Sequence, residues 1–248
     1  MNPLRKLCRG FGFDVVPYVR GALPADMDAE AQRIIRTVKP YTMTSPERLF
    51  GLIESVRYLV RRGVAGDFVE CGVWRGGSMM AAALTLQSLG ATDRELFPYD
   101  TFEGMPKPTD KDVSYKGSVA SEQFEQKKTG EDRSDWCLAP LDEVRRAVES
   151  TGYPAVRIHL VQGKVEDTLP AHAPARIALL RLDTDWYEST KHELEHLYPR
   201  LAGGGVLIVD DYGWWEGCRK AVDEYIAREK LPILLNRVDL TGRVAVKP

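Results

Sequence analysis

Four carboxylates follow two short apolar stretches of the chain, and their spacing is suited to metal chemistry. Asp183 and Asp185 come after a leucine-rich run, and Asp210 and Asp211 come directly after residues 206–209, Val-Leu-Ile-Val. Short apolar runs bounded by turn residues predict buried parallel strands. Because ligands bind beyond the carboxyl ends of the strands in an open α/β sheet, we expect the four acids to meet at one edge.

Four unpaired carboxylates in one crevice repel each other, and a hard divalent cation with oxygen ligands relieves that repulsion. Mg²⁺ keeps part of its shell for water or substrate oxygens, and a hydroxyl bound to it loses its proton more readily. A spare carboxylate nearby can accept that proton. Any one of these acids alone has a simpler explanation as a helix cap or turn residue. All four at successive strand ends are harder to explain in that way.

Two further features predict an adenosine-bearing ligand. Residues 70–78, Glu-Cys-Gly-Val-Trp-Arg-Gly-Gly-Ser, indicate a strand, a tight turn and a helix start that can face an anionic group. Asp100 ends the next predicted strand, where an acid commonly binds the ribose hydroxyls. These features alone leave NAD and S-adenosylmethionine open, although the turn is not a GxGxxG motif. The carboxylate cluster favours S-adenosylmethionine, because hydride transfer to NAD needs no metal.

The elements that position these residues alternate between strand and helix and end in two strands. This order predicts a three-layer, doubly wound α/β fold whose sheet is mostly parallel, with a C-terminal antiparallel hairpin. Residues 1–45 are predicted as an N-terminal helical arm and residues 46–248 as one domain. Within that domain, residues 104–136 (the lid segment) are polar and lack periodicity, which is typical of a functional lid or of disorder. The predicted strands cover 66–73, 95–100, 156–163, 175–183, 205–211, 233–238 and 243–246; the predicted helices cover 28–38, 45–62, 79–89, 141–150, 189–201 and 218–229.

The totals of the chain exclude several classes of protein. A net charge of −2 argues against nucleic acid as the partner. No apolar run is long enough to span a membrane, and those at the start are too short for a secretory signal. The four cysteines show no metal-type spacing, so we expect reduced thiols in a cytoplasmic protein. The basic start of the chain leaves two options open, peripheral contact with a membrane or packing on another subunit: Arg5, Lys6, Arg9 and Arg20.

Four motifs in this order resemble the macrocin O-methyltransferase family: residues 69–78, 99–106, 182–190 and 204–212. The resemblance covers about residues 38–230. It implies a class I methyltransferase fold and an enzyme that uses S-adenosylmethionine and Mg²⁺ to methylate a sugar hydroxyl of a glycosylated small molecule or glycan. It also implies a homo-oligomer.

Carried over position by position, the family pattern assigns roles to twelve residues. Asp183, Asp210 and Asp211 are expected to hold the metal, and Asp185 is expected to act as the general base. The expected cofactor contacts are Met43 and Thr44 over the cofactor, Glu70 and Gly72 at its methionine end, Ser78 at the helix start, Asp100 at the ribose, and Gly163 and Glu166 at the adenine.

Two other functions stay open at this point. A catechol-like diol on a small aromatic molecule would also chelate the metal through two oxygens. A non-catalytic module could keep the fold and bind a nucleotide-like ligand, although such a module would need no spare base. Trp186, Trp214 and Trp215 could border a sugar or simply pack, and His192 and His196 are expected on a solvated helix face.

Overall fold

The computed structural model describes residue 11 and residues 23–248, and its centre is a seven-stranded sheet. The strands in chain order are β1 (Asp67–Cys71), β2 (Leu96–Asp100), β3 (Lys128–Gly130), β4 (Arg133–Ser134), β5 (Val161–Gln162), β6 (Ile177–Leu182), β7 (Leu201–Val209), β8 (Asn236–Arg237) and β9 (Arg243–Val246). The order across the main sheet is β5-β2-β1-β6-β7-β9-β8, and β3 pairs with β4 in a separate hairpin.

The first five strands of that order run parallel, whereas β9 is antiparallel to β7 and β8 to β9. From β1 the chain proceeds outward to β2 and β5, then returns to β6 on the other side of β1. The order therefore reverses between β1 and β6, which is where doubly wound folds bind their ligands. The predicted fold class, including the closing antiparallel hairpin, is confirmed.

Helices cover both faces of this sheet. In chain order they are α1 (Ala29–Val38), α2 (Pro46–Arg61), α3 (Gly77–Ser88), α4 (Ala120–Lys127), α5 (Leu141–Glu149), α6 (Val165–Thr168), α7 (Tyr187–Leu197) and α8 (Glu216–Arg228). Short 3₁₀ turns follow or separate them at Lys39–Tyr41, Ala155–Arg157 and Tyr198–Arg200. None of the helices in the described part of the chain is long and apolar enough to cross a membrane.

Two helix starts follow directly from the sequence. The Asp28 carboxylate accepts hydrogen bonds from the backbone N–H groups of Glu30 and Ala31, both at 3.0 Å. The Ser45 hydroxyl accepts from the Arg48 N–H at 3.1 Å, and Pro46 occupies the first helical position, where its missing N–H costs nothing. Both caps fix the register of helices whose apolar faces then meet the sheet.

The core consists of two apolar clusters, one on each face of the sheet. Phe68 of β1 packs in one cluster and its neighbour Val69 in the other, as the alternation of a strand requires. Ile34 and Val38 of α1 belong to the first cluster. This helix of the predicted arm thus shares the core of the sheet, and a boundary at residue 45 stays a prediction. The basic residues before Leu23 lie outside the described residues.

Two predicted strands are much shorter than expected, and the one at 233–238 is reduced to Asn236–Arg237. The expected strand at 156–163 is reduced to Val161–Gln162, and a 3₁₀ turn occupies Ala155–Arg157. The neighbouring strand β2 contains Pro98, which pairs with Glu70 of β1 and has no N–H to offer on either side. Pairing between β2 and β5 is accordingly limited to two residue pairs.

The lid segment is folded and fixed to the body of the protein. It contains α4 and the β3–β4 hairpin, which its sequence pattern did not predict. The buried Asp112 carboxylate accepts from the Tyr187 N–H at 2.8 Å, from the Thr109 N–H at 2.7 Å and from the Thr109 hydroxyl at 2.8 Å. Asp112 therefore joins the lid segment to the first residue of α7.

Candidate active site

All twelve residues singled out from the sequence line one cavity at the carboxyl ends of the parallel strands. The cavity is bounded by residues 41–45 before α2 (the hinge), the turn after β1, the ends of β2, β6 and β7, and the loop after β5. The start of the lid segment and Cys137, just beyond its end, complete the wall. The predicted residues on its wall are Met43, Thr44, Glu70, Gly72, Ser78, Asp100, Gly163, Glu166, Asp183, Asp185, Asp210 and Asp211. Their convergence follows from the fold; the role of each is a separate question.

Strand register brings the critical residues side by side. Cys71 pairs with Leu182, and Leu182 pairs with Val209, so the next residue of each strand lies at the same level. The Asp183 N–H donates to the Cys71 carbonyl, and the Asp210 N–H donates to the Leu182 carbonyl, each at 2.9 Å. The sheet ladder therefore continues into the site itself.

Gly72 is required at this level because the strands are so close there. Its φ is +79°, and a Cβ at this position would lie 2.1 Å from the Asp183 carbonyl oxygen. A second close approach occurs at Gly77, where a Cβ would lie 2.6 Å from the Tyr41 carbonyl oxygen. Gly72 thus lets the loop after β6 approach the turn after β1, and Gly77 lets the hinge at 41–45 approach the first turn of α3.

The hinge places its residues at the predicted position over the start of α3. The Thr44 and Ser78 hydroxyl oxygens are 3.5 Å apart in a buried contact. Met43 lies on the cavity wall, yet 61% of its surface is exposed. A side chain in that position can cover a ligand that fills the cavity.

Asp100 is held tightly by backbone donors. One of its oxygens accepts from the N–H groups of Val73 and Trp74 at 2.9 and 3.0 Å, and the other accepts from the Phe102 N–H at 2.8 Å. Burial raises the pKa of Asp100, and these hydrogen bonds act in the opposite direction. The carboxylate is therefore fixed against the turn that follows β1.

Three of the four expected acids form a tight cluster. Asp183, Asp185 and Asp211 each offer an oxygen, and these oxygens lie within 4.8 Å of one another. Asp185 has a φ of +70°, which is uncommon for a residue with a side chain. Asp210 is placed differently: its Oδ1 lies 2.7 Å from Arg181 Nη2, and its Oδ2 contacts Arg48 Nη1. The structure thus groups two of the predicted metal ligands with the predicted base, and pairs the third ligand with arginines.

The electrostatics of the cluster favour a cation. Burial raises the pKa of Asp185 to about 7, and it raises the pKa of both Asp183 and Asp211 well above the usual range, with neighbouring carboxylates adding to the effect. Crowded acids with raised pKa values are stabilised as carboxylates when a positive ion lies among them. The donor set consists of oxygens only, which suits Mg²⁺. The residues present therefore fit a magnesium ion.

Sequence reasoning missed Arg181 and Arg48. Arg181 is the last residue but one of β6, every residue of which is buried, and its guanidinium contacts three carboxylates of the site. An arginine inside a buried strand must be paired, because an isolated buried charge is very costly. That rule could have identified Arg181. Nothing in the pattern of α2 distinguishes Arg48 from its solvent-facing neighbours.

Tryptophans near the site pack against each other. Trp186 and Trp215 are buried, with ring centroids 5.1 Å apart, and Trp136 at the end of the lid segment packs edge-on against both. Their role is packing, and they hold the end of the lid segment over the loops that carry Asp185 and Asp211. The His192 and His196 rings have centroids 4.3 Å apart and are tilted by 58°, and both residues lie outside the cavity wall.

Fold and site together have the architecture of an O-methyltransferase. The solved structure of the O-methyltransferase NovP superimposes with a TM-score of 0.72 at 30% identity, covering 84% of this chain and 82% of that one. The model of the macrocin-O-methyltransferase (TylF) family matches residues 25–246, and the chain belongs to this family. The resemblance inferred from four motifs is thereby confirmed, and the chain is an enzyme of the O-methyltransferase class.

Two curated relatives illustrate the family. The chain is 36% identical, over 82% of its length and 74% of the relative's, to the 8-demethyl-8-(2,3-dimethoxy-alpha-L-rhamnosyl)-tetracenomycin-C 4'-O-methyltransferase of Streptomyces olivaceus. It is 34% identical, over 82% of its length and 76% of the relative's, to the mycinamicin III 3''-O-methyltransferase of Micromonospora griseorubida.

Proposed function

We propose that this enzyme transfers a methyl group from S-adenosylmethionine to a sugar hydroxyl of a glycosylated natural product, with Mg²⁺ as its metal. The main observation in support of this proposal is that the cluster of Asp183, Asp185 and Asp211 lines the same cavity as Glu70 and Asp100. An adenosine-type ligand and a metal-chelating hydroxyl can share such a cavity. The names of the relatives supply the acceptor class, since they are methyltransferases of a rhamnosyl tetracenomycin, of mycinamicin III and of demethyldecarbamoylnovobiocin.

The cofactor would extend from the turn after β1 to the loop after β5. Glu70 and Gly72 lie where its methionine end would bind, with Ser78 at the start of α3, and Asp100 would accept hydrogen bonds from the ribose hydroxyls. Gly163 and Glu166, after β5, would border the adenine. Met43 and Thr44 would cover the cofactor from the hinge. Support for these roles is that all of these residues line the same cavity.

Asp183, Asp210 and Asp211 would hold the metal. The metal would hold two neighbouring oxygens of the acceptor and make the reacting hydroxyl more acidic. Asp183 and Asp211 already lie close together, whereas Asp210 would have to leave the Arg48 guanidinium to join them. Arg48 is the more exposed of the two arginines on Asp210 and has a second partner, since its Nε lies 3.1 Å from Asp239 Oδ2.

Asp185 would take the proton of the acceptor hydroxyl. The oxygen then attacks the methyl carbon in line with the sulfur, the new C–O bond forms as the C–S bond breaks, and the sulfur keeps the electron pair to give S-adenosylhomocysteine. Fixed geometry supplies much of the acceleration in such a displacement. Asp185 suits the base because it belongs to the acid cluster without being among the three predicted ligands.

Replacing Asp185 by asparagine tests the base directly. Asp185→Asn keeps the size of the side chain and removes the proton acceptor, so turnover should fall by about 10²-fold or more. Calorimetry should show that the variant binds S-adenosylhomocysteine as the parent does and still binds Mg²⁺, with an affinity reduced only by the loss of one nearby negative charge. Glu188→Gln serves as the control, because Glu188 is an exposed residue in the first turn of α7, three residues after Asp185. Normal turnover of Asp185→Asn would refute the assignment.

The acceptor class is tested by a panel of deoxysugar glycosides beside simple catechols. We expect transfer to a glycoside, and transfer to catechols alone would instead support the catechol alternative. A chain that binds the cofactor and transfers methyl to no diol would support the non-catalytic module. Homo-oligomeric assembly and a cytoplasmic location stay predictions from the sequence.

A further inference from the structure

Arg181 is bonded to acids from three neighbouring strands. Its Nη1 lies 2.6 Å from Glu70 Oε1 and 2.7 Å from Asp183 Oδ2, and its Nη2 lies 2.7 Å from Asp210 Oδ1. Nη2 also donates to the Thr44 hydroxyl at 3.2 Å. The side chain is only 3% exposed. A single buried cation therefore connects the hinge with the ends of β1, β6 and β7.

The connection follows from the sheet itself. Arg181 and Glu70 are direct partners in the β1–β6 register, so their side chains leave the same face of the sheet. Asp183 lies two residues further along the strand and thus on that face as well. The arginine is built into the central strands and cannot move away as a surface side chain can.

The guanidinium contacts one oxygen of each of the three acids. The other oxygen of Glu70 and the other oxygen of Asp183 are free of Arg181, and both acids line the cavity. Because Nη1 contacts Glu70 and Asp183 together, the orientation of one carboxylate is tied to that of the other. Charge-assisted bonds of this kind are short and strongly directional.

We propose that Arg181 is a positioning residue shared by two subsites, orienting Glu70 toward the ammonium group of the cofactor and Asp183 and Asp210 toward the metal. This inference rests on the proposed function. It assigns one side chain to the affinity of two different ligands. It also explains why a full positive charge lies in the most buried strand of the sheet.

Replacing Arg181 by lysine tests the inference. Arg181→Lys keeps the charge, but one ammonium cannot reproduce the two-nitrogen geometry that serves three acids and a hydroxyl. Calorimetric titration with S-adenosylhomocysteine, and separately with Mg²⁺, should show both dissociation constants raised on the order of tenfold, since charge-assisted bonds are lost in each subsite. Neither readout depends on turnover.

Arg57→Lys is the matched control. Arg57 also contacts three acids, Asp28, Glu30 and Glu54, but lies outside the cavity wall. The same substitution there should lower the thermal stability of the protein and leave both dissociation constants unchanged. The comparison separates a general loss of stability from a loss of positioning.

Thr44 offers a second test that does not alter the buried charge. Thr44→Val removes the hydroxyl that Arg181 contacts, and Thr44→Ser restores it. Thr44 is not among the predicted metal ligands, so weaker Mg²⁺ binding in Thr44→Val that recovers in Thr44→Ser would act through Arg181. If Arg181→Lys does not fold, the comparison of Thr44→Val with Thr44→Ser still tests whether Arg181 positions the metal site.

The outcomes distinguish the inference from the proposed function. Weaker binding of both ligands to Arg181→Lys, or the Thr44 pattern, supports shared positioning. If the parent binds both ligands, Arg181→Lys loses only one affinity or neither, and Thr44→Val binds Mg²⁺ as the parent does, the inference is wrong and the proposed function stands. If the folded parent binds neither ligand, both are wrong.

Discussion

Seven carboxylates share one cavity with two arginines and a lysine, and this charge balance governs the behaviour of the individual residues. Glu70, Asp100, Glu166 and the four acids at 183–211 line the wall, opposed by Arg48, Lys164 and Arg181. Asp100 is compensated by backbone donors, and Glu70, Asp183 and Asp210 share the Arg181 guanidinium. Asp185 and Asp211 have no arginine or lysine partner among the described residues, so a bound cation should change their properties most.

Stability should respond to pH through these buried acids. Burial raises the pKa of Glu70 and of Asp185 to about 7, from ordinary values of 4.5 and 3.8. Because the folded-state pKa of each acid lies above its unfolded-state pKa, the folded protein favours the protonated acids. Their contribution to stability is complete below the unfolded-state pKa values and is lost as the pH rises to about 7. The metal-free protein should therefore lose thermal stability across that interval.

Mg²⁺ should offset this loss, because it binds carboxylates in competition with protons. The increase in melting temperature on adding Mg²⁺ should be larger at a pH of about 8 than at about 6. Differential scanning fluorimetry with and without chelator measures it. Equal increases at both pH values would contradict the account of the cluster.

At the residue scale, sequence reasoning was strong for motif positions and weak for their partners. All twelve predicted residues lie on one cavity, because strand ends and glycine turns are recognisable locally. Arg181 and Arg48 were missed, since their importance depends on which strands become neighbours. Asp210 lies apart from the tight cluster for the same reason, because it contacts Arg48 and Arg181, which the sequence did not place beside it.

The loop after β6 and the turn after β1 are fitted to each other at Gly72. In Gly72→Ala the new Cβ would meet the Asp183 carbonyl oxygen, so the backbone that carries Asp183 must move. We expect a loss of stability on the order of 3 kcal/mol and a clear loss of Mg²⁺ affinity. Denaturant unfolding and calorimetry measure the two effects.

Gly90→Ala is the control for that variant. Gly90 has a similar φ of +66°, but a Cβ there would meet nothing within 4 Å. Gly90→Ala should lower the free energy of unfolding by only about 1 kcal/mol, because alanine is less stable than glycine in the left-handed conformation. Equal effects of the two substitutions on Mg²⁺ binding would show that the close approach at Gly72 has no functional consequence.

The lid segment gives a prediction about its single buried acid. Asp112→Ala removes three hydrogen bonds, one of them to the first residue of α7, and should cost about 3 kcal/mol. Because Asp112 holds the lid segment against Tyr187, two residues after the predicted base Asp185, the KM for the acceptor should rise more than the dissociation constant for S-adenosylhomocysteine. Exposed Asp110, replaced by alanine, should change neither. A uniform loss of both affinities would argue against a role in acceptor binding.

At the element scale, the helices and central strands could be predicted because caps and apolar runs mark them. The edge strand β5 could not, since Pro98 in the neighbouring strand limits its pairing. The lid segment could not either, because its helix and hairpin depend on contacts such as that of Asp112 with α7. Tertiary contacts decide the structure where local signals are weak.

For the whole molecule, fold and family agree with the reading of the four motifs, and the position of the cavity follows from the reversal of strand order between β1 and β6. We expect the acceptor to be selected by the lid segment, whose sequence carries the weakest pattern. The relatives are named for different substrates, so the family alone does not select one of them.

The central claim is metal-dependent methyl transfer to a sugar hydroxyl. The direct test incubates the dialysed protein with S-adenosylmethionine carrying a deuterated methyl group and with deoxysugar glycosides, in EDTA and after Mg²⁺ is restored. Mass spectrometry should locate the labelled methyl group on the sugar only when Mg²⁺ is present. Equal transfer in EDTA would contradict the metal's role, and absence of transfer from a folded protein that fails to bind S-adenosylhomocysteine would contradict the account as a whole.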